Sequence, residues 1–336
     1  MDFFFYFWLC SYIFCTVALL HLFVLLLKKL LKTPSDINGK HVLITGGSSG
    51  IGKGVAIEVA KLGANVTIVA RDAVKLQSAV DEIQKACVKQ SQKVNYISLD
   101  ISTNYENVEK VLNEAEQNLG PVYMLVNCAG TCICGKFEDM SVDDVHYLVN
   151  LNYMGTVHTI KSLIGKMKTR KEGYVVITAS QAALIGIFGL SIYSSTKFAL
   201  RGLAETLYME LKHHGIHVTL ALPPDTDTPG FANEEKSKPL ETKIISESGG
   251  LYAPEKVAAR IVKDTLEKSF FSTIGLESYL VTVLCSGMSP VRSFLDIIHQ
   301  APLLGLLRVV SYFIQAHFLS IIKKCAREEE SKKKIS

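Results

Sequence analysis

The sequence predicts an α/β fold built on a doubly wound parallel sheet, and three observations carry that prediction. From Lys40 onward short β-rich runs alternate with helical periods. The first run ends in a glycine-rich turn that opens a helix. No internal repeat or low-complexity segment interrupts the alternation. Parallel neighbours need crossover connections, and right-handed crossovers put helices on both faces of the sheet. The 336 residues suffice for one large domain with appendages. Hydrophobic residues make up 48% and mean hydropathy is +0.24, high for a soluble enzyme, with the excess at the two ends. A net charge of +4, small and dispersed, excludes a nucleic-acid partner; the terminal lysines suggest membrane flanks instead.

Residues 1–32 read as an N-terminal membrane anchor. Positions 3–27 are almost continuously apolar, broken by Ser11, Thr16 and His21. At ~1.5 Å per residue this run can cross a ~30 Å hydrocarbon core. A cleaved signal peptide would have a basic start and a shorter apolar core. Here Asp2 precedes the run, and Lys28, Lys29 and Lys32 follow it. The positive-inside rule puts the N-terminus in the lumen and the rest in the cytosol. Residues 33–36 form a short linker, and residues 40–269 form the catalytic domain.

Candidate strands in that domain are 41–45, 65–70, 94–99, 122–127, 174–180 and 217–222. Between them lie helical periods at 55–62, 73–86, 105–119 and 142–167, with a further helix at 254–268. The first strand runs into Thr45-Gly46-Gly47-Ser48-Ser49-Gly50-Ile51-Gly52. Glycines let backbone approach a pyrophosphate closely, and a helix N-terminus offers free N–H groups and positive potential. Gly46, Ser48, Ser49, Gly50, Ile51 and Gly52 are therefore candidate cofactor contacts. Strand two ends at Arg71, where NAD-binding folds commonly carry a carboxylate. An arginine suits the 2′-phosphate of NADPH, although Asp72 follows immediately. Lys75 is grouped with Arg71. Asp100 ends strand three, placed for the adenine edge, and Asn127-Cys128-Ala129-Gly130 ends strand four under the cofactor.

Tyr193 and Lys197 stand at i and i+4, on one face if the segment opens a helix. Tyrosine has a pKa near ~10, and a neighbouring ammonium pulls it down toward working pH. The phenol can then pass a proton to a developing alkoxide. Ser180, thirteen positions earlier, is placed to donate a hydrogen bond to the same oxygen.

In this order, Thr45 to Gly52, Asp100, Asn127 to Gly130, Asn152, Ser180, Tyr193 and Lys197 resemble the short-chain dehydrogenase/reductase family over residues 40–268. The resemblance implies a Rossmann-type domain with hydride transfer at the carboxyl edge of the sheet. It implies Tyr193 as acid/base and Ser180 as the carbonyl-orienting hydroxyl. Lys197 would bind the nicotinamide ribose and lower the tyrosine pKa, and Asn152 would hold a water in a proton relay. The family usually has Pro-Gly after the sixth strand; this chain has Pro223-Pro224-Asp225-Thr226-Asp227-Thr228. The second proline stiffens the loop and leaves Thr228 as the cofactor contact. With residues 135–139 and 238–243, this loop resembles the membrane-bound family members that reduce a long-chain sphingoid-base ketone. Asp225 and Asp227 are turn-forming surface carboxylates on one reading and contacts for a substrate ammonium on the other.

Residues 270–324 form an apolar membrane-associated segment. Positions 279–288 are too short to span. Positions 301–322 are long enough, but Arg308, Ser311 and Gln315 share one polar face. That stripe favours an amphipathic helix in the interface or walling a lipid entrance. A re-entrant hairpin, and an apolar lid or dimer face, are the alternatives. Residues 325–336 are a basic tail, and Lys333-Lys334-Ile335-Ser336 resembles the dilysine retrieval signal read by coat machinery on the cytosolic side. Cys132-Ile133-Cys134 resembles a metal or redox fragment that no second cysteine or histidine pair completes, so no metal is expected and the eight cysteines read as reduced thiols.

These readings converge on an NADPH-dependent reductase of a long-chain sphingoid ketone at the cytosolic face of the endoplasmic reticulum membrane. A microsomal hydroxysteroid or retinoid dehydrogenase, and a non-catalytic membrane scaffold, are the competing expectations. A homodimer is left open.

Overall fold

The computed structural model describes residues 34–335 apart from 248 and 292, so the predicted anchor at 1–32 lies outside the described residues. Seven strands form one sheet: β1 (His41–Thr45), β2 (Asn65–Ala70), β3 (Val94–Ser98), β4 (Val122–Asn127), β5 (Gly173–Thr178), β6 (Ile216–Ala221) and β7 (Phe271–Ser272). All pair in parallel, in the order β3-β2-β1-β4-β5-β6-β7. The order reverses between β1 and β4, and in sheets of this kind ligands bind at the carboxyl ends of the strands beside that reversal.

The strand period of two divides the core. Leu43, Leu125, Val175 and Leu220 face one side; Val42, Ile44, Val126 and Val176 face the other. Helices cover both faces: α1 (Gly50–Lys61), α2 (Ala73–Lys85), α3 (Tyr105–Leu119), α4 (Val142–Leu148), α5 (Gly155–Arg170), α6 (Ser191–Lys212) and α9 (Pro254–Leu266). The segment expected as linker is tied down at its end. The Ser35 N–H donates to the Leu266 carbonyl at 3.0 Å, and the Tyr174 hydroxyl donates to Ser35 Oγ.

Several expectations need correction. The helix over 55–62 starts at Gly50, because the glycine-rich turn leads straight into it. The single helix over 142–167 is α4 and α5 joined by a π-helical turn at Val149–Met154. Two short helices after β6, α7 (Pro229–Ser237) and α8 (Leu240–Glu247), were not anticipated, and neither was β7. The apolar region is α10 (Leu276–Leu284) followed by α11, one continuous helix from Phe294 to Ile335 that carries Pro302 inside it.

The link between these last helices is clamped to the domain. From α6, the Arg201 guanidinium donates to the Cys285 and Ser286 carbonyls and to Ser289 Oγ, while its Nε pairs with Glu205 at 2.9 Å. Gln181 reaches Ser278 on α10. The C-terminal helices are thereby held over the carboxyl edge of the sheet.

Candidate active site

The carboxyl ends of the strands open into a cavity of about 1180 Å³. Its wall starts at the glycine-rich turn and ends against α10 and α11. At the first end, Gly46 has φ +68° and a Cβ there would sit 2.8 Å from the Ala129 nitrogen. Gly50 has φ +53° and a Cβ would meet Thr228 Cγ2 at 2.9 Å. A side chain at either position would be strained and would fill the cradle. The turn thus keeps exposed backbone at the N-terminus of α1, an arrangement that fits a dinucleotide pyrophosphate. Thr228 caps α7, accepting from the Phe231 N–H, and lies directly over this turn.

Gly46, Ser48, Ser49, Gly50, Ile51, Gly52, Arg71, Lys75, Asp100, Ser180, Tyr193, Lys197 and Thr228 all line the cavity. Asp72 also lines the cavity, but its carboxylate caps α2 by accepting from the Val74 and Lys75 N–H groups and pairs with Lys75 at 3.6 Å. Arg71 remains more than half exposed, its Nη1 donating to the Tyr147 hydroxyl at 3.3 Å and lying 4.0 Å from Asp100. Asp100 itself accepts from the Ser102 N–H and hydroxyl.

Two of the expected residues are not on the cavity wall. Asn127 is buried, with its amide donating to the Val176 carbonyl and its Oδ1 accepting from Thr159, so it locks β4 to β5 and α5. Asn152 is fully buried in the π-turn. Its amide donates to the Thr131 carbonyl and to Thr196 Oγ1, its Oδ1 accepts from the Thr131 N–H, and its own carbonyl accepts from Thr156 Oγ1. Through these bonds the Asn152 side chain fixes the loop after β4. That loop runs close to Lys197, since a Cβ on Gly130 would be 3.5 Å from Lys197 Nζ.

Ser180 ends the segment after β5 and caps a 3-10 turn, its Oγ accepting from the Ala182 N–H. Tyr193 and Lys197 occupy successive turns at the start of α6. Lys197 Nζ donates to the Thr178 carbonyl at 3.1 Å and lies 5.5 Å from the centre of the Tyr193 ring. The expected lowering of the Tyr193 pKa is corrected here. Burial raises it well above the ordinary value, helped by Cys132, Glu234 and Asp225, while the Ser180 hydroxyl opposes the rise. Burial also brings Lys197 down to about 8. In both cases desolvation penalises the charged form and is the largest cause.

The β6–α7 loop and the C-terminal turn of α7 contribute a charged cluster that sequence spacing did not reveal. Lys238, with a side chain only 1% exposed, pairs with Glu235 at 2.6 Å, Glu234 at 3.0 Å and Asp225 at 3.8 Å. Burial pushes Asp225 up to about 6. Cys132 and Cys134, with Sγ atoms 3.7 Å apart, converge on Glu234, which supplies the third potential ligand that the local sequence lacked.

The far end of the cavity is apolar. Ile185, Leu280, Leu284, Val310, Ile314 and Phe318 line it, with Arg308, Ser311 and Gln315 on the same wall. The polar stripe of α11 borders the cavity, with Ser311 buried and Arg308 and Gln315 exposed, while Val309, Tyr312 and Phe313 are exposed outside the cavity wall.

Residues 40–239 match the short chain dehydrogenase family. The chain is 48% identical over 297 residues to a 3-dehydrosphinganine reductase of Danio rerio, covering 88% of this chain and 90% of the relative. It is 48% identical over 296 residues to a 3-ketodihydrosphingosine reductase of Bos taurus, covering 88% and 89%. Among solved structures, a short chain dehydrogenase/reductase from Burkholderia phymatum in complex with NAD aligns with TM-score 0.63 at 26% identity, over 71% of this chain and 90% of that one. The chain belongs to the short-chain dehydrogenase family and is an oxidoreductase that works with a nicotinamide cofactor on a ketone or alcohol group.

Proposed function

We propose that this chain uses NADPH to reduce 3-dehydrosphinganine, the 3-ketone of a long-chain sphingoid base, to sphinganine. The observation that carries this reading is the single cavity that joins a dinucleotide cradle, the Ser180–Tyr193–Lys197 group and a long apolar end walled by α10 and α11. An acyl chain fits such an end, because its binding needs apolar surface and few polar contacts. The relatives named above supply the specific ketone. NADPH is favoured over NADH by Arg71, which stays exposed at the cavity edge while Asp72 is committed to its helix cap.

In this mechanism the glycine-rich turn and Thr228 would hold the phosphates, and Arg71 with Lys75 would meet the 2′-phosphate. When bound, the cofactor supplies the hydride. Ser180 donates a hydrogen bond to the ketone oxygen and fixes its direction. Tyr193 gives that oxygen its proton. Lys197, anchored on the Thr178 carbonyl, would meet the nicotinamide ribose and brings positive charge beside the phenol. Asn152 acts one step removed, by holding the loop after β4. The domain faces the cytosol at the endoplasmic reticulum membrane, with the apolar outer face of α11 against lipid. The terminal lysines engage coat machinery.

The test is NADPH oxidation by detergent-solubilised protein with 3-dehydrosphinganine, beside a ketosteroid and retinal. Turnover of the sphingoid ketone alone is expected. Turnover of the steroid or retinal alone overturns the reading in favour of a microsomal hydroxysteroid or retinoid enzyme, and absence of turnover with every ketone favours a scaffold.

A further inference from the structure

Three carboxylates gather where the β6–α7 loop meets the cavity, and their charges do not cancel evenly. Glu235 faces away from the cavity and has two lysines, Lys238 at 2.6 Å and Lys243 at 4.0 Å. Asp225 and Glu234, which do line the cavity, share what remains of Lys238. The uncompensated negative charge therefore faces the cavity, on the side of Tyr193, whose pKa both carboxylates raise. Asp227, the other acidic residue of the loop, is exposed and outside the cavity wall.

We propose that Asp225 and Glu234 form the recognition site for a protonated amine on the carbon next to the reacting ketone. The inference rests on the function proposed above, whose substrate carries its amine in that position. With the ketone oxygen at Tyr193 and Ser180, a neighbouring ammonium lies one bond further along the chain, within reach of carboxylates that already act on the phenol. The pairing has a consequence for the chemistry as well as for binding. The two carboxylates make Tyr193 a weaker acid, and an arriving ammonium cancels that effect. A substrate with an amine thus restores the proton donor that its absence leaves suppressed. Neutral ketones of the same length leave the cluster's excess negative charge unpaired on the cavity side and are selected against.

The experiment compares three ketones on the detergent-solubilised full chain, with EDTA present so that no divalent cation occupies Cys132, Cys134 and Glu234. They are 3-dehydrosphinganine, its analogue without the amine, and its N-acetyl form, which keeps the nitrogen but not the charge. A charge-assisted contact predicts kcat/KM at least ~10-fold higher for the amine than for either uncharged ketone, with part of the difference in kcat. Glu234→Gln and Asp225→Asn should each shrink that ratio while NADPH affinity is kept. Equal kcat/KM for all three ketones on the wild-type chain overturns the inference and leaves the proposed reduction standing. So does a ratio unchanged in both variants. Failure of the wild-type chain on all three overturns the functional reading itself. The wild-type comparison does not depend on either variant folding.

Discussion

Tyr193 has to stay protonated in a buried site and still surrender its proton during turnover. Burial secures the first condition by raising its pKa, and Ser180, Lys197 and the bound substrate must supply the second. Tyr193→Phe should lower turnover at least ~10²-fold, the lower end of general-acid contributions, with NADPH affinity nearly unchanged in a fluorescence titration. Near-normal turnover would remove Tyr193 from the mechanism. Arg71→Ala should weaken NADPH binding by about 1.5–3 kcal/mol and leave NADH binding almost unaffected; equal losses would assign Arg71 to folding. The tyrosine and lysine were legible in the sequence because helical spacing is a local property, and the glycine-rich turn for the same reason. The surroundings of the phenol were not. Cys132, Asp225 and Glu234 reach it from segments distant in sequence and add to the rise that burial causes. Asn127 and Asn152 looked like site residues from their motifs, yet partners at Thr159, Thr131 and Thr196 hold their side chains inside the fold.

At the level of elements, five of the six expected strands end within one residue of their observed limits at both ends, because buried β-branched runs bounded by turns are distinct in sequence. The two-residue β7 is too short to carry a period, and the π-turn keeps helical composition while changing only the hydrogen-bond register. The loop after β6 is where pattern failed most. Its prolines and acids read as surface turn, but α7 and α8 fold it back over the cavity around Lys238. That burial has a measurable pH signature. The Asp225 pKa rises from 3.8 to about 6, chiefly by desolvation, with Glu234 and Glu235 adding to the rise and Lys238 opposing it. Between those two values the folded protein binds more protons at this site than the unfolded chain does. The stabilising contribution is therefore full below 3.8 and lost as pH rises through about 6. Comparing urea midpoints, wild type minus Asp225→Asn, should give a difference that falls from pH 4 to pH 7. A difference that rises over that range would mean Lys238 dominates the site and the carboxylate is held ionised.

For the whole molecule, the question is how a cavity-walling helix can also meet a bilayer. The 42 residues of α11 extend about 63 Å at ~1.5 Å per residue, twice the ~30 Å of a hydrocarbon core. By length and hydropathy residues 294–328 could cross a membrane, and little of that stretch is buried inside the protein. Yet Arg308, Ser311 and Gln315 face the cavity, so this part of the helix cannot leave the domain to span lipid without opening the site. An interfacial position satisfies both faces: polar stripe on the cavity, Val309, Tyr312 and Phe313 in the lipid. On the proposed membrane location, a long-chain ketone would enter along α10 and α11. This arrangement requires the domain and the tail to lie on the same side. Acceptor sequons placed before Met1, at the exposed Asn233 of α7 and at the C-terminus test it in microsomes. Glycosylation of the first alone is expected, with the domain digested by added protease. A glycan at the C-terminus but not near Asn233 would mean that α11 crosses the bilayer, that Lys333 and Lys334 are lumenal, and that α11 does not wall the cavity in the membrane. A glycan near Asn233 with a protected domain would reverse the orientation set by Lys28, Lys29 and Lys32.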